Sequence, residues 1–186
     1  MRIISGEYGG RKLKSVSGKS TRPTTDKVKE SLFHMIGPYF DGGQALDLYA
    51  GSGALGIEAV SRGMDKATLV DHDYSAVKTI RENVEITKEP EKFNILKKKD
   101  LQAIDYFKQT EETFDLILLD PPYAAQELES VVNRLTANKS LNNQAIIVCE
   151  TDSDVSLDFD DPSVHFIKEK IYGTTKISIY EWVENQ

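Results

Sequence analysis

The chain has 186 residues, 39% hydrophobic and 28% charged, which suits one compact domain long enough to bury a core. No apolar run approaches the roughly 20 residues that cross a bilayer. The opening MRIISGEYGG is too short and polar for a secretory leader, and a lone cysteine, Cys149, excludes an internal disulfide and a cysteine-only zinc site. Cytoplasmic location is the expectation. The net charge of −7 conceals an asymmetry: residues 1–22 hold Arg2, Arg11, Lys12, Lys14, Lys19 and Arg22 against Glu7 alone, leaving −12 on the remainder. A basic arm on an acidic body fits a face that meets phosphates, and equally a solvated hairpin whose lysines serve solubility.

In chain order, residues 1–5 and 11–16 read as short strands around Gly9-Gly10, a small basic hairpin. Thr24-Thr25-Asp26 then offers helix caps after Pro23, and Val28, Leu32, Met35 and Ile36 follow at helical spacing until Gly37-Pro38. From Gln44 onward, apolar runs at 45–49, 67–71, 93–96, 114–119 and 145–149 alternate with helical patterns at 55–61, 74–86, 101–107 and 126–135. Such alternation predicts an α/β fold, a parallel sheet with helices on both faces. The tail breaks the pattern: residues 164–172 and 175–183, joined by Gly173-Thr174, predict a terminal antiparallel hairpin. Cys149 falls in an apolar run and reads as a buried strand thiol.

Asp47-Leu48-Tyr49-Ala50-Gly51-Ser52-Gly53-Ala54-Leu55-Gly56 ends the first strand and opens a helix. Glycines at this spacing let a backbone turn sharply, approach a ligand and pack closely on a sheet. Alone, the pattern fits a nicotinamide or flavin enzyme as well as a methyltransferase. Asp47 separates them, because a carboxylate there repels a pyrophosphate yet suits the ammonium and sulfonium of S-adenosylmethionine. Asp71, 20 residues past Gly51, stands where an acid accepts bonds from both ribose hydroxyls. Asp100 stands where it meets an adenine amino group, with His72 and Leu101 as further candidate lining.

Asp120-Pro121-Pro122-Tyr123 follows the fourth strand directly. An exocyclic amine is a poor nucleophile because its lone pair is delocalised into the ring. The Asp120 carboxylate and the Pro121 carbonyl can hold its two hydrogens and aim that lone pair. Pro121 and Pro122 stiffen the loop and remove donors, and Tyr123 offers a ring for stacking the base. Such chemistry needs alignment and charge stabilisation, with no metal. His34, His72 and His165 lie in different segments without metal-ligand spacing.

Ile3-Ile4-Ser5-Gly6, Gly10-Arg11-x-Leu13, Arg22-Pro23-Thr24, Leu46 through Ala59, Ser61-Arg62-Gly63, Asp120 through Tyr123 and Tyr172-Gly173 occur in one order across essentially the whole chain. In this the sequence resembles the RsmD-type 16S rRNA guanine-N2 methyltransferases. The resemblance implies a Rossmann-like class I methyltransferase fold with a mostly parallel seven-stranded sheet, comprising residues 23–186, and a basic hairpin extension over residues 1–22. It implies S-adenosyl-L-methionine as cofactor and N2 of a guanine in 16S rRNA as acceptor. The substrate it implies is an assembled or partly assembled small ribosomal subunit, where ribosomal proteins contribute to recognition. The cofactor loop then falls on Asp47, Tyr49, Ala50, Gly51, Ser52, Gly53 and Gly56, amine positioning on Asp120 to Tyr123, and RNA contact on Arg2, Arg11, Lys12, Lys14 and Arg22. Two features depart from the family: Asp71 stands where Glu is more usual, and Lys97-Lys98-Lys99 has no place in the pattern. Rival readings are another amino-methyltransferase, such as one for adenine N6, and a non-catalytic ribosome-assembly factor. A nicotinamide oxidoreductase is disfavoured by Asp47 and by Asp-Pro-Pro-Tyr.

Overall fold

Strand–helix alternation organises the chain from Gln44 onward, in a computed structural model that describes residues 1–17, 25–122 and 125–185. The elements are α1 (Asp26–Ile36), β1 (Gln44–Asp47), α2 (Ala54–Ser61), β2 (Lys66–Asp71), α3 (Tyr74–Ile86), β3 (Phe93–Lys97), α4 (Asp100–Thr110), β4 (Phe114–Leu119), α5 (Ala125–Ala137), β5 (Leu141–Asp152), β6 (Val164–Tyr172) and β7 (Thr175–Trp182). They build one sheet in the order β3-β2-β1-β4-β5-β7-β6. Strands β1 to β5 pair in parallel, and β7 lies antiparallel between β5 and β6.

The uninterrupted apolar run of β4 reflects cover on both faces. Leu116 and Leu118 join a core with residues of α1, α2 and α3, including Leu32, Phe33, Ile57 and Ile80. Ile117 and Leu119 point the other way, into a core with Ile104 and Phe107 of α4 and Leu128, Val131, Val132 and Leu135 of α5. Helix α1 starts where Thr25 Oγ1 accepts the Val28 N–H at 3.2 Å. Cys149 is buried in β5, where desolvation pushes its thiol up.

Two elements differ most from the sequence reading. β5 begins at Leu141 rather than Ala145, because a register shift opposite Phe114 and a left-handed Gln144 (φ 68°) carry the polar Asn142-Asn143-Gln144 into the ladder. The expected hairpin of residues 1–16 is present but short: Arg2 pairs antiparallel with Lys12, Ile3 N–H donates to the Arg11 carbonyl at 2.9 Å, Leu13 N–H to the Met1 carbonyl at 3.0 Å and Gly10 N–H to the Ile3 carbonyl at 2.8 Å. The ladder goes no further because α2 takes the backbone donors of Ile4, Ser5, Glu7 and Tyr8. Ile4 and Ser5 N–H donate to the Glu58 carboxylate at 2.8 and 3.1 Å, Glu7 N–H to the Ser61 carbonyl at 2.8 Å, and Tyr8 N–H to Ser61 Oγ at 2.9 Å. Ile3, Tyr8 and Leu13 are buried in the core beneath. Gly6 sits at φ 87°, and a Cβ there would lie 1.9 Å from the Ser61 oxygen, so only glycine permits this approach.

Glu58 is the hub of this joint. Fully buried, it also receives Arg62 Nε at 2.8 Å and Lys29 Nζ at 3.3 Å, and Lys29 donates to the Arg2 carbonyl at 2.6 Å. Burial lowers the Lys29 pKa while Glu58 opposes that shift. Arg62 completes its contacts on the Pro38 carbonyl and over the Phe33 ring. At the tail, the Tyr172 hydroxyl hydrogen-bonds Ser31 of α1, so the motifs at both ends of the chain meet the same helix.

Candidate active site

Four loops leave the sheet at its carboxyl end. Asp47 of β1 lies opposite Leu118 of β4 on one side and Leu69 of β2 on the other, and Asp71 of β2 opposite Lys97 of β3. The glycine loop, Asp71, Asp100 and Asp120 therefore emerge together at the carboxyl ends of adjacent parallel strands, where α/β sheets bind ligands.

Within the glycine loop, Gly51 (φ 58°) and Gly53 (φ 83°) are left-handed, and Gly53 caps α2. A Cβ on Gly51 would meet nothing within 4 Å, so the loop's outer side is open. A Cβ on Gly56 would lie 2.1 Å from Leu69 Cδ2, so this glycine serves helix–sheet contact. Ala50 is buried and ties the loop to β2 through its N–H on the Val70 carbonyl, at 2.9 Å.

Asp47 lies beneath this loop at 1% exposure, and its Oδ2 accepts the Gly56 N–H at 3.0 Å. Burial pushes its pKa up to about 7; the Gly56 bond opposes the shift and the nearby Asp71 charge adds to it. Asp71 is half-buried and accepts Gly51 N–H at 2.9 Å and Asp73 N–H at 3.0 Å. Tyr49 donates to Asp100 at 2.9 Å, and Asp100 also accepts the Leu101 N–H at 2.7 Å. His72 and Leu101 are exposed nearby in sequence, Asp120 and Pro121 half-buried, and Pro122 exposed. Tyr123 lies outside the described residues.

The arm's cations divide. Arg11 turns inward, donating to the Ile86 and Thr87 carbonyls at 3.1 and 2.9 Å and packing over Tyr8, so it closes the end of α3. Arg2 faces Asp26 at 3.6 Å and Lys14 faces Glu82 at 3.3 Å, both largely exposed. Lys12 is exposed, and Arg22 lies outside the described residues. Lys97 ends β3, while Lys98 lies over the Tyr106 ring at 5.1 Å.

Sequence reading missed Asn83 and the Lys29–Glu58–Arg62 cluster. Asn83 is fully buried on α3, where its amide donates to the Lys14 and Ser52 carbonyls and its oxygen accepts the Lys14 N–H. The available signal was polarity on an apolar stripe: Asn83 follows Ala76 and Ile80 at helical spacing, and Lys29 precedes Leu32 and Phe33.

These residues fit S-adenosylmethionine. Acidic acceptors stand at the ends of β1, β2 and α4's first turn, the glycine loop has an open side, and its residues carry no cation to pair a pyrophosphate. The model of a family described as "Conserved hypothetical protein 95", the RsmD family, matches residues 1–181. The chain belongs to that family. YlbH of Bacillus subtilis is 42% identical across 97% of this chain and 98% of its own length. Ribosomal RNA small subunit methyltransferase D of Haemophilus influenzae is 34% identical across 97% and 93%. A solved conserved hypothetical protein of Streptococcus pyogenes is 44% identical, with a TM-score of 0.78 over 83% of this chain and 94% of that one. At 16% identity, an RNA methyltransferase of Salinibacter ruber in complex with S-adenosyl-L-homocysteine matches with a TM-score of 0.61 over 89% and 96%. The fold of this RsmD-family chain is thus that of the class I S-adenosylmethionine-dependent methyltransferases.

Proposed function

We propose that the chain transfers a methyl group from S-adenosylmethionine to the exocyclic N2 of a guanine in 16S rRNA, within an assembled or partly assembled small subunit. The observation that carries this reading is the emergence of the glycine loop and Asp120-Pro121 from the carboxyl ends of adjacent parallel strands, β1 and β4. Asp47, the 49–56 loop, Asp71, Asp100 and their neighbours His72 and Leu101 hold the cofactor, which supplies an electrophilic methyl on a sulfonium centre. The Asp120 carboxylate and the Pro121 carbonyl accept the two amine hydrogens and rotate the nitrogen lone pair out of the ring. The carboxylate also stabilises the positive charge that grows on nitrogen, and the surplus proton leaves to water. Tyr123 stacks the base. The exposed cations Arg2, Lys12 and Lys14 meet rRNA phosphates, as does Arg22; ribosomal proteins of the small subunit complete the recognition surface.

Asp120→Asn tests the mechanism, because it retains an acceptor oxygen and loses the charge. Turnover on small subunits lacking the modification falls by roughly 10²–10³, while S-adenosylhomocysteine binds as before. A folded Asp120→Ala protein methylating at the normal rate would overturn the reading. Mapping the methylated nucleotide tests the guanine and its position.

A further inference from the structure

Asn83 joins the two segments that the proposed function assigns to different ligands. Its Nδ2 donates to the Lys14 carbonyl at 2.9 Å and to the Ser52 carbonyl at 2.8 Å, and its Oδ1 accepts the Lys14 N–H at 2.8 Å. The side chain thus grips the arm as a neighbouring strand would, with donor and acceptor on one residue, and spends its second hydrogen on the glycine loop. Among natural side chains of this size only a carboxamide offers that set. Ser52 lies between two left-handed glycines, Gly51 and Gly53, so the orientation of its carbonyl is set by backbone torsions that glycine leaves soft. Two further contacts align the same pieces: Ser52 Oγ meets Met1 Sδ at 3.6 Å, and Lys14 pairs with Glu82 one residue before Asn83.

We propose that Asn83 is a positioning residue that couples the two binding events: cofactor seating in the glycine loop orders the arm for RNA, and RNA on the arm orders the loop for cofactor. The proposal rests on the reading of loop and arm given above. Its physical basis is shared ordering. A ligand that fixes one segment relieves the second ligand of part of the cost of fixing the other, and the coupling is reciprocal by thermodynamic necessity.

The first test uses the unaltered protein and S-adenosylhomocysteine, with amide hydrogen exchange as the readout. Exchange at the Lys14 N–H slows together with that at Gly51 and Gly53. Slowing within the loop while Lys14 stays unchanged overturns the coupling and leaves the cofactor reading intact. Unchanged exchange at the loop itself would overturn the cofactor reading, and the coupling with it. The second test is Asn83→Asp, isosteric but without the two donors. In the wild type, unmodified small subunits tighten S-adenosylhomocysteine binding by about fivefold or more; in the variant this factor collapses towards one, whatever the separate affinities become. A variant keeping the full wild-type factor would show that Asn83 only supports the fold.

Discussion

Asp47→Asn isolates what the buried acid costs the ligand-free protein. The carboxyl is 1% exposed, and burial raises its pKa from 3.8 to about 7. A group whose folded pKa is raised contributes stability that is fully present below the unfolded pKa. That contribution is lost as pH rises through the folded value. For Asp47 the window runs from about pH 4 to about pH 7. A shift of about three units at 1.36 kcal/mol each sets a ceiling of about 4 kcal/mol. Asparagine keeps an oxygen for the Gly56 N–H and carries no charge, but its amide hydrogens arrive in a buried place, so we expect a net gain of about 2 kcal/mol at pH 8. Urea unfolding of the ligand-free protein between pH 4.5 and 8.5 measures it. The variant is the more stable above pH 7, the difference shrinks on acidification, and S-adenosylmethionine affinity drops. Parallel wild-type and variant curves across that range would refute the claim that burial disfavours an ionised Asp47.

Glu58→Ala leaves Lys29 and Arg62 buried without their counter-charge and removes the acceptor for two arm N–H groups; denaturant unfolding will register a loss of about 3–5 kcal/mol. Gly6→Ala drives a Cβ into the Ser61 carbonyl at a left-handed φ; about 2 kcal/mol or more of stability is lost, and proteolysis near residue 15 accelerates. Arg11→Ala lowers stability by about 1–2 kcal/mol through the lost helix-end bonds and ring contact. The double change Lys12→Ala and Lys14→Ala instead leaves the melting temperature near wild type and flattens the salt dependence of subunit binding by roughly 0.7–0.9 per lost phosphate contact. Equal salt slopes for the double variant and the wild type would favour lysines that serve solubility alone.

Where local periodicity and global packing agree, the sequence is readable. Helix α3 runs from Tyr74 to Ile86 and β4 from Phe114 to Leu119, both as their patterns predict. The glycine loop and Asp120 are readable as neighbours because a doubly wound sheet reverses its strand order beside β1, which sets β4 next to it. The arm is legible only in part, for the opposite reason. Gly9-Gly10 is a local hairpin signal and the short hairpin it announces is there, but the acceptors that claim Ile4, Ser5 and Tyr8 are Glu58 and Ser61, more than fifty residues on, and nothing local announces them. Arg11 and Lys12 look alike in sequence; only the position of the end of α3 turns one inward. Asp47 was read as a ligand contact, and its bond to Gly56 adds a part in holding the loop.

The placement of β7 has a consequence for how the molecule is made. Residues 175–182 lie between β5 and β6, and Thr175 to Tyr180 are buried. On a ribosome, β6 emerges first and has no partner until β7 follows, because β7 alone separates it from β5. A chain cut short after Tyr172 leaves β5 with a bare edge and β6 tethered to nothing in the sheet, the kind of edge that recruits other chains. β7 thereby completes this sheet, and products terminated before it should be cleared or aggregate rather than persist as partly working enzyme.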